Sequence, residues 1–427
     1  MKHSAGQMRT AQYFEKWLWR AIRGLAPLIR RWSAWRQRHC RPASLWGTTP
    51  ILTLPKLAAA DRLLGFSSQS LVFTTYYITS AFDYVLKGHV DFVERKAPLY
   101  LRCYHLLVFL WALLRYDVFH FFYDRGILES EGRFGVNHHE LFWLRCLGKR
   151  VYLYAYGGDV RTRQATMSLG KFNVCMHCEQ VNVNCLCDDE EGSRKQAVYQ
   201  QYVTAVIAMG DMMAYVPNAI NLNYWPFDVD STPYVGVHWD GSRPLKIVHV
   251  PNHAWAKGTH YLQQAIEVLR QRGIPFDYVQ ITKKPNAEIL RLIGEADIVA
   301  DQFVAGWHGY TALEAMALGK IVLCFIRDKQ MLLVPAECPI VSADPDSLVD
   351  VLSRLADSSP QKLQEQGAAG RAYVERYFSI PAVALRLGKL YLDTGKFFPE
   401  VSAMLHDRMR AIEKLIPERV PQMAQAA

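Results

Sequence analysis

Acidic side chains are almost missing from one end of this 427-residue chain. Residues 1–42 carry ten basic side chains and a single acid, Glu15. The whole chain has 49 Lys+Arg and 40 Asp+Glu, so the rest holds 39 of each sign (49 less 10, and 40 less 1). The excess therefore belongs to one segment, and the body is not a generally basic nucleic-acid binder. No apolar run of about 20 residues occurs in that segment, which excludes a membrane span there, and no h-region follows its charges, which excludes a secretory signal. Tandem repeats and low-complexity tracts are lacking, apart from an Ala/Gln-rich C-terminal end expected to fray. What remains is 50% apolar and 21% charged, the composition of a globular protein large enough for two or three cored domains. Disorder and a disulfide miniprotein are excluded.

On a helix, Phe14, Leu18, Ile22, Leu25, Ile29 and Trp32 fall within about 40° of one line, while Lys16, Arg20, Arg23, Arg30 and Arg31 lie away from it. Trp17, Trp19 and Trp35 sit off the line, where an indole can keep its body among acyl chains and its N–H among headgroups. Residues 1–42 are thus expected to form an amphipathic helix lying on an anionic membrane surface, with a kink at Pro27. Two alternatives stay open: a helix docked on the protein's own body with its arginines solvated, and a mitochondrial presequence. The apolar stretch Leu106 to Leu114 is too short to span and is expected as a buried helix.

Beyond residue 43, short apolar runs alternate with helical periods, the signature of parallel α/β architecture. Strands are expected near Leu71–Thr75, Asp117–Tyr123 and Val151–Tyr156, with helices between them. A stretch rich in Asn, Pro and aromatics, 217–244, reads as a linker. The alternation then restarts, with strands at Lys246–Val250, Phe276–Ile281, Ile298–Phe303 and Ile321–Ile326, and helices at Thr259–Arg270, Asn286–Gly294 and Thr311–Leu318. Ligands of such sheets sit beyond the carboxyl ends of the strands. Two loops there stand out. YGGDVR (Tyr156 to Arg161) offers two adjacent glycines, Gly157 and Gly158, with Asp159 and Arg161. AGWHGYTALEAMALGK (Ala305 to Lys320) opens a helix whose N–H groups can receive an anion. Neither is G-x-G-x-x-G or a P-loop, which counts against a dehydrogenase and a P-loop NTPase.

HVPNHAWAKGT (His249 to Thr259) and EADIVADQFVAGWHGYTALEAMALGK (Glu295 to Lys320) resemble the donor-binding half of family 4 glycosyltransferases with the GT-B fold, in particular those that build bacterial surface polysaccharides. YDVFHFFYDRGIL (Tyr116 to Leu128) and the pair LGKR and YGGDVR agree more loosely; the likeness covers most of residues 68–392 and not the basic helix. The resemblance implies two Rossmann-like domains facing across a cleft, a nucleotide-sugar on the C-terminal one, an acceptor on the N-terminal one, and transfer with retention and without a catalytic metal. The expected organisation is a basic helix (1–42), an N-terminal domain (43–235), a C-terminal domain (244–378) and C-terminal helices crossing back (379–427).

A departing nucleoside diphosphate develops negative charge that needs a cation or oriented dipoles. Lys257 is placed to supply the cation, and the helix start at Gly309, Tyr310 and Thr311 the N–H groups. Glu314 matches the glutamate that in the family binds the nucleotide ribose. His253, Gly258, Asp301, Gln302, Gly306 and His308 complete the expected donor side, and Gly157, Gly158, Asp159 and Arg161 the acceptor side. Where the family often has a second glutamate, this chain has Gly306, and an arginine usual before the lysine is missing, His253 being the nearest polar group. Many members carry His-x-His after the fourth strand; here His120 precedes Phe122, so His120 is either an active-site group or a core histidine. The acidic triplets Asp228–Asp230 and Asp344–Asp346 are short enough to arise by chance, and Asp346 fits a helix cap.

CMHCEQVNVNCLC gathers Cys175, Cys178, Cys185 and Cys187 in an insertion at about 172–190. The spacing suits a structural four-thiolate Zn²⁺ site, with His177 as a substitute ligand; an iron–sulfur cluster or unmetallated thiols are alternatives. The other five cysteines are scattered singly, as in a reducing cytosol. The expected protein is a cytoplasmic, peripherally membrane-attached glycosyltransferase of a nucleoside-diphosphate sugar, acting on a lipid-linked or saccharide acceptor and not on nucleic acid. An epimerase or phosphorylase, or a catalytically silent nucleotide-sugar scaffold, is the alternative.

Overall fold

The computed structural model describes residues 5–417 except 77, 131 and 133, without the side chains of residues 5–8. Lys2 and the Ala/Gln-rich end at 418–427 lie outside the described residues. Two parallel sheets form the frame. The first contains β1 (Ala43–Thr48), β2 (Ser67–Val72), β3 (Tyr84–Val85), β4 (Val118–Phe122), β5 (Arg150–Tyr154), β6 (Ala205–Ala208) and β7 (Ile220–Asn221), in the order β3-β2-β1-β4-β5-β6-β7. The second contains β8 (Leu245–His249), β9 (Phe276–Gln280), β10 (Ile298–Ala300), β11 (Ile321–Cys324) and β12 (Val341–Ser342), in the order β12-β11-β10-β8-β9. Strand order reverses between β1 and β4 and again between β8 and β10, and a crevice opens at each such switch point. This is the expected α/β frame of two doubly wound units.

Central parallel strands are covered on both faces and so read as continuous apolar runs; VFHFF of β4 and IVLC of β11 are buried throughout. The exception is β1, ASLWGT, which no apolar run announces although all six of its residues are buried. Its hydroxyls are satisfied locally: Ser44 Oγ donates to Asp61 at 2.6 Å and Thr48 Oγ1 to the Gly126 carbonyl at 2.7 Å. A buried hydroxyl with a partner carries little penalty, so a polar-looking segment can occupy the middle of the sheet. The second strand also begins at Ser67, ahead of the expected Leu71.

The basic segment is one helix, Ala5–His39, that runs on through Pro27. Half of its apolar line faces inward. Leu18, Ile22 and Ile29 are buried in the same core as Phe109 and Leu113 of the helix Leu101–Arg115. Trp32 Nε1 donates to the Leu114 carbonyl at 3.0 Å, and Arg36 pairs with buried Asp117 at 2.9 Å. Leu18, Ile22 and Ile29 are therefore spent on the protein's own body, while Phe14, Leu25 and Trp32 of the same line stay exposed.

The stretch 217–244 is irregular but packed. Tyr224 is fully buried with its hydroxyl donating to Ala155 O at 2.6 Å, and the Phe227 N–H donates to Phe378 O at 2.6 Å. The C-terminal helix Ile380–Thr394 lies beside the helix Leu54–Leu63 of the first unit, where Tyr391 Oη donates to Asp61 at 2.6 Å, and the following helix Pro399–Glu413 packs on Ile380–Thr394. His120 belongs to this knot. It is wholly buried, stacks on Trp46 with ring centroids 3.8 Å apart, and holds Tyr154 Oη at Nδ1 and Tyr391 Oη at Nε2, each 3.1 Å away. Burial drives its pKa well below the usual value, so it is a neutral core histidine and not an active-site group.

Candidate active site

A cavity of about 610 Å³ opens between the carboxyl ends of the two sheets. Its first wall comes from the loops after β1, β4, β5 and β6, and includes Thr49, Asp124, Tyr156, Gly157, Gly158, Asp159, Arg161 and Asp211. The opposite wall comes from the loops after β8, β9 and β10, with His253, Lys257, Lys283, Lys284, Gln302, His308, Gly309, Tyr310, Thr311 and Glu314.

Asp301 organises the second wall from behind. It is buried, pairs with Lys257 Nζ at 2.5 Å, and accepts a hydrogen bond from the Gly309 N–H. Burial alone would raise its pKa, but the Lys257 ammonium and the Gly309 N–H outweigh that and hold it below the usual carboxylate value. Lys257 is thereby drawn to the start of the helix Tyr310–Ala317, and a Cβ on Gly309 would stand 3.0 Å from its ammonium. A cation and a helix N-terminus converge on one spot, which is what a diphosphate requires. Glu314, one turn on, accepts from Asn286 Nδ2 at 2.6 Å. Burial pushes its carboxyl up to about 7 against the pull of Asn286 and of Lys56. Lys56 crosses from the first unit, bonds Tyr310 Oη at 2.8 Å, and lies over the Phe227 and Tyr310 rings.

Gly258 and Gly306 do not line the cavity. Gly306 has a φ of +84°, and a Cβ there would collide with the Arg327 guanidinium, which donates to Ala305 O at 3.2 Å and Phe172 O at 2.8 Å. The glutamate expected from the family at this position has no room.

On the first wall, Asp159 folds its own turn by accepting from the N–H groups of Tyr156 at 3.0 Å and Gly157 at 2.7 Å. Burial and then neighbouring Asp124 raise its carboxyl to about 7. Arg161 reaches Asp211 at 3.4 Å. Gly158 is required by contact: a Cβ would strike the Asn184 carbonyl of the cysteine loop.

That loop touches both units. Leu186 N–H donates to Gly158 O at 2.8 Å and Cys187 N–H to Arg161 O at 3.0 Å, while Val174 packs on Val304 and Ala305 and Lys171 pairs with Asp346. His177 Nε2 meets Tyr261 Oη at 3.0 Å rather than a thiol. All nine cysteines are free thiols, and burial raises the pKa of Cys175 and Cys185. Among the described residues no three His, Cys, Asp or Glu side chains are arranged to hold a metal ion, although Cys178, Cys185 and Cys187 all lie near enough to Cys175 to raise its pKa further. Both acidic triplets act in turns. Asp344 accepts from the Ser347 N–H at 2.8 Å, and Asp228 from the Ser231 N–H at 3.3 Å; the cap is Ser347, not Asp346.

Lys56, Asp124, Asp211, Asn286 and Arg327 escaped the sequence reading. Asp124, Asp211 and Arg327 follow the ends of β4, β6 and β11, so the strand-end rule alone could have drawn attention to them. Lys56 and Asn286 carry no sequence signal.

No protein-family model matches the chain, and no curated protein matches it by sequence. Solved structures do match by shape. Sucrose-phosphate synthase from Thermosynechococcus elongatus superposes with a TM-score of 0.52 at 12% identity, over 83% of this chain and 98% of that one. A glycosyltransferase from Rickettsia africae gives 0.51 at 10% identity, over 83% and 99%. HepE of Anabaena, in complex with UDP and glucose, gives 0.49 at 10% identity, over 83% and 100%. Among the described residues no helix is long and apolar enough to cross a membrane. The chain has the GT-B glycosyltransferase fold.

Proposed function

We propose that the protein is a retaining glycosyltransferase that moves a sugar from a nucleoside-diphosphate donor to a lipid-linked or membrane-proximal saccharide in surface-polysaccharide synthesis, at the cytoplasmic face of the inner membrane. The observation that carries this reading is the convergence of Lys257 Nζ, held by Asp301, with the N-terminus of the helix Tyr310–Ala317 on one wall of the cleft. As the sugar–phosphate bond opens, charge grows on the diphosphate, and a preset ammonium and backbone N–H groups stabilise it without reorganising. Glu314 accepts from the ribose hydroxyls, and the Asp159 and Arg161 wall receives the acceptor. The acceptor oxygen bonds to the sugar carbon as the sugar–phosphate bond breaks, its proton passes to the departing phosphate oxygen, and Lys257 with the helix N–H groups takes the charge-stabilising place of a catalytic metal. Cys175, Cys178, Cys185 and Cys187 would hold a structural zinc ion, separate from the chemistry of the cleft, and metal analysis of the purified protein tests this.

The test is transfer of radiolabelled donor to membrane extracts by wild type and Lys257→Ala, after a thermal-shift panel of nucleoside-diphosphate sugars has picked the donor. Undiminished transfer in the variant rejects the role of Lys257. The silent-scaffold reading draws on Arg327 filling the space at Gly306; donor binding without turnover would favour it.

A further inference from the structure

The helix Ala5–His39 has three faces. One is the line of Ala11, Leu18, Ile22, Ile29 and Ser33, buried on the protein's own body. About a quarter turn away runs a second apolar stripe, Phe14, Trp17, Leu25, Leu28, Trp32 and Trp35, at steps of three and four or their sums. The docked line leaves this stripe outside: Trp17 is 58% exposed, Leu28 60% and Trp35 47%. It extends over the neighbouring helix through Leu107 and Leu114, both exposed, and its rings pair along its length as Phe14 on Trp17 and Trp32 on Trp35. The third face is basic. Lys16, Arg20, Arg23, Arg30, Arg31 and Arg38 are exposed, and among the described residues Arg36 alone of the helix's basic side chains has a carboxylate partner.

We infer that the stripe Phe14, Trp17, Leu25, Leu28, Trp32 and Trp35, not the docked line, is the surface on which this protein lies on an anionic bilayer. A continuous apolar strip of this length is unusual on the surface of a soluble body. Its chemistry fits the bilayer interface, where indoles sit at headgroup depth and flanking arginines meet lipid phosphates. The helix is about 50 Å long, so the contact lies parallel to the membrane plane. A second copy of the chain fits worse, because pairing two stripes brings two unpaired basic faces together. The body, fixed to the docked line, then keeps one orientation to the membrane. This deepens the proposed function, since a lipid-linked acceptor lies in the same plane, but it stands on its own observations.

The experiment is co-sedimentation of the full-length protein with phosphatidylcholine vesicles, with and without phosphatidylglycerol. The comparison is wild type against Trp17→Ser/Leu28→Ser/Trp35→Ser and against Arg20→Glu/Arg31→Glu. Wild type should bind the anionic vesicles, and each variant should bind them more than about tenfold more weakly, with unchanged melting temperature and donor-panel shift. Undiminished binding by the Trp/Leu variant, or equal binding of wild type to neutral vesicles, overturns the inference. So does a dimer in solution that the same substitutions dissolve. Failure of the donor panel in wild type, with vesicle binding intact, rejects the glycosyltransferase reading and leaves this one standing.

Discussion

Asp301 and Lys257 form a 2.5 Å ion pair in which the carboxylate is wholly buried and the ammonium stands at the cavity wall. Removing the lysine alone leaves a buried charge unmatched. Lys257→Ala should therefore lose about 3 kcal/mol of stability as well as its transfer activity, the latter by roughly two to three orders of magnitude. Lys257→Ala/Asp301→Asn should recover stability without activity. Denaturant titration and single-turnover transfer separate the two losses.

Glu314 sets a pH dependence. Its carboxyl is pushed up to about 7 from 4.5 by burial, so between those values the folded chain keeps a proton the unfolded chain has released. The stability this contributes is full below the lower value and lost as pH rises through the upper one. Asp61 at about 6 and Asp159 at about 7 act in the same direction, each raised first by burial. The protein should melt higher near pH 5 than near pH 8. Glu314→Gln should melt above wild type at the alkaline end and level with it at the acid end. Donor affinity, which needs the carboxylate, should rise in wild type through pH 7 and be weak and flat in the variant.

Introducing the second glutamate of the family 4 pattern should fail. Gly306→Glu meets both a φ of +84° and the Arg327 guanidinium, and should cost about 3 kcal/mol or more. Gly306→Ala, which meets the same two obstacles with a smaller side chain, should cost less, as thermal melting would report.

His120 tests the distinction between core and site. His120→Ala removes a ring stacked on Trp46 and bonded to Tyr154 and Tyr391. A loss of about 3 kcal/mol is expected from the cavity and the unpaired hydroxyls, with the turnover of folded protein unchanged. A collapse in turnover at full stability would return His120 to the active site.

Period and punctuation made most of the second unit readable, because its strands are short apolar runs and its helices Thr259–Gln271 and Asn286–Gly294 are strongly amphipathic. The same logic missed β1, whose Ser44 and Thr48 are satisfied by Asp61 and the Gly126 carbonyl. Lys257, Gly309 and Glu314 were visible as a motif. Lys56 was not, since its meeting with Tyr310 spans 254 positions.

The charge of the first 42 residues, and the amphipathicity of the helix they form, are properties of local order that any reader of the chain can compute. Which of that helix's two apolar stripes is covered is not. Leu18, Ile22 and Ile29 are enclosed because Phe109 and Leu113 arrive beside them in space, and that docking leaves Trp17, Leu28 and Trp35 exposed. Likewise, a lysine, an aspartate and a glycine scattered from 257 to 309 meet at one cavity wall only when two strand ends bring them together. Local sequence determined the elements and their faces; packing, which acts between residues far apart in the chain, decided which faces stayed free to act.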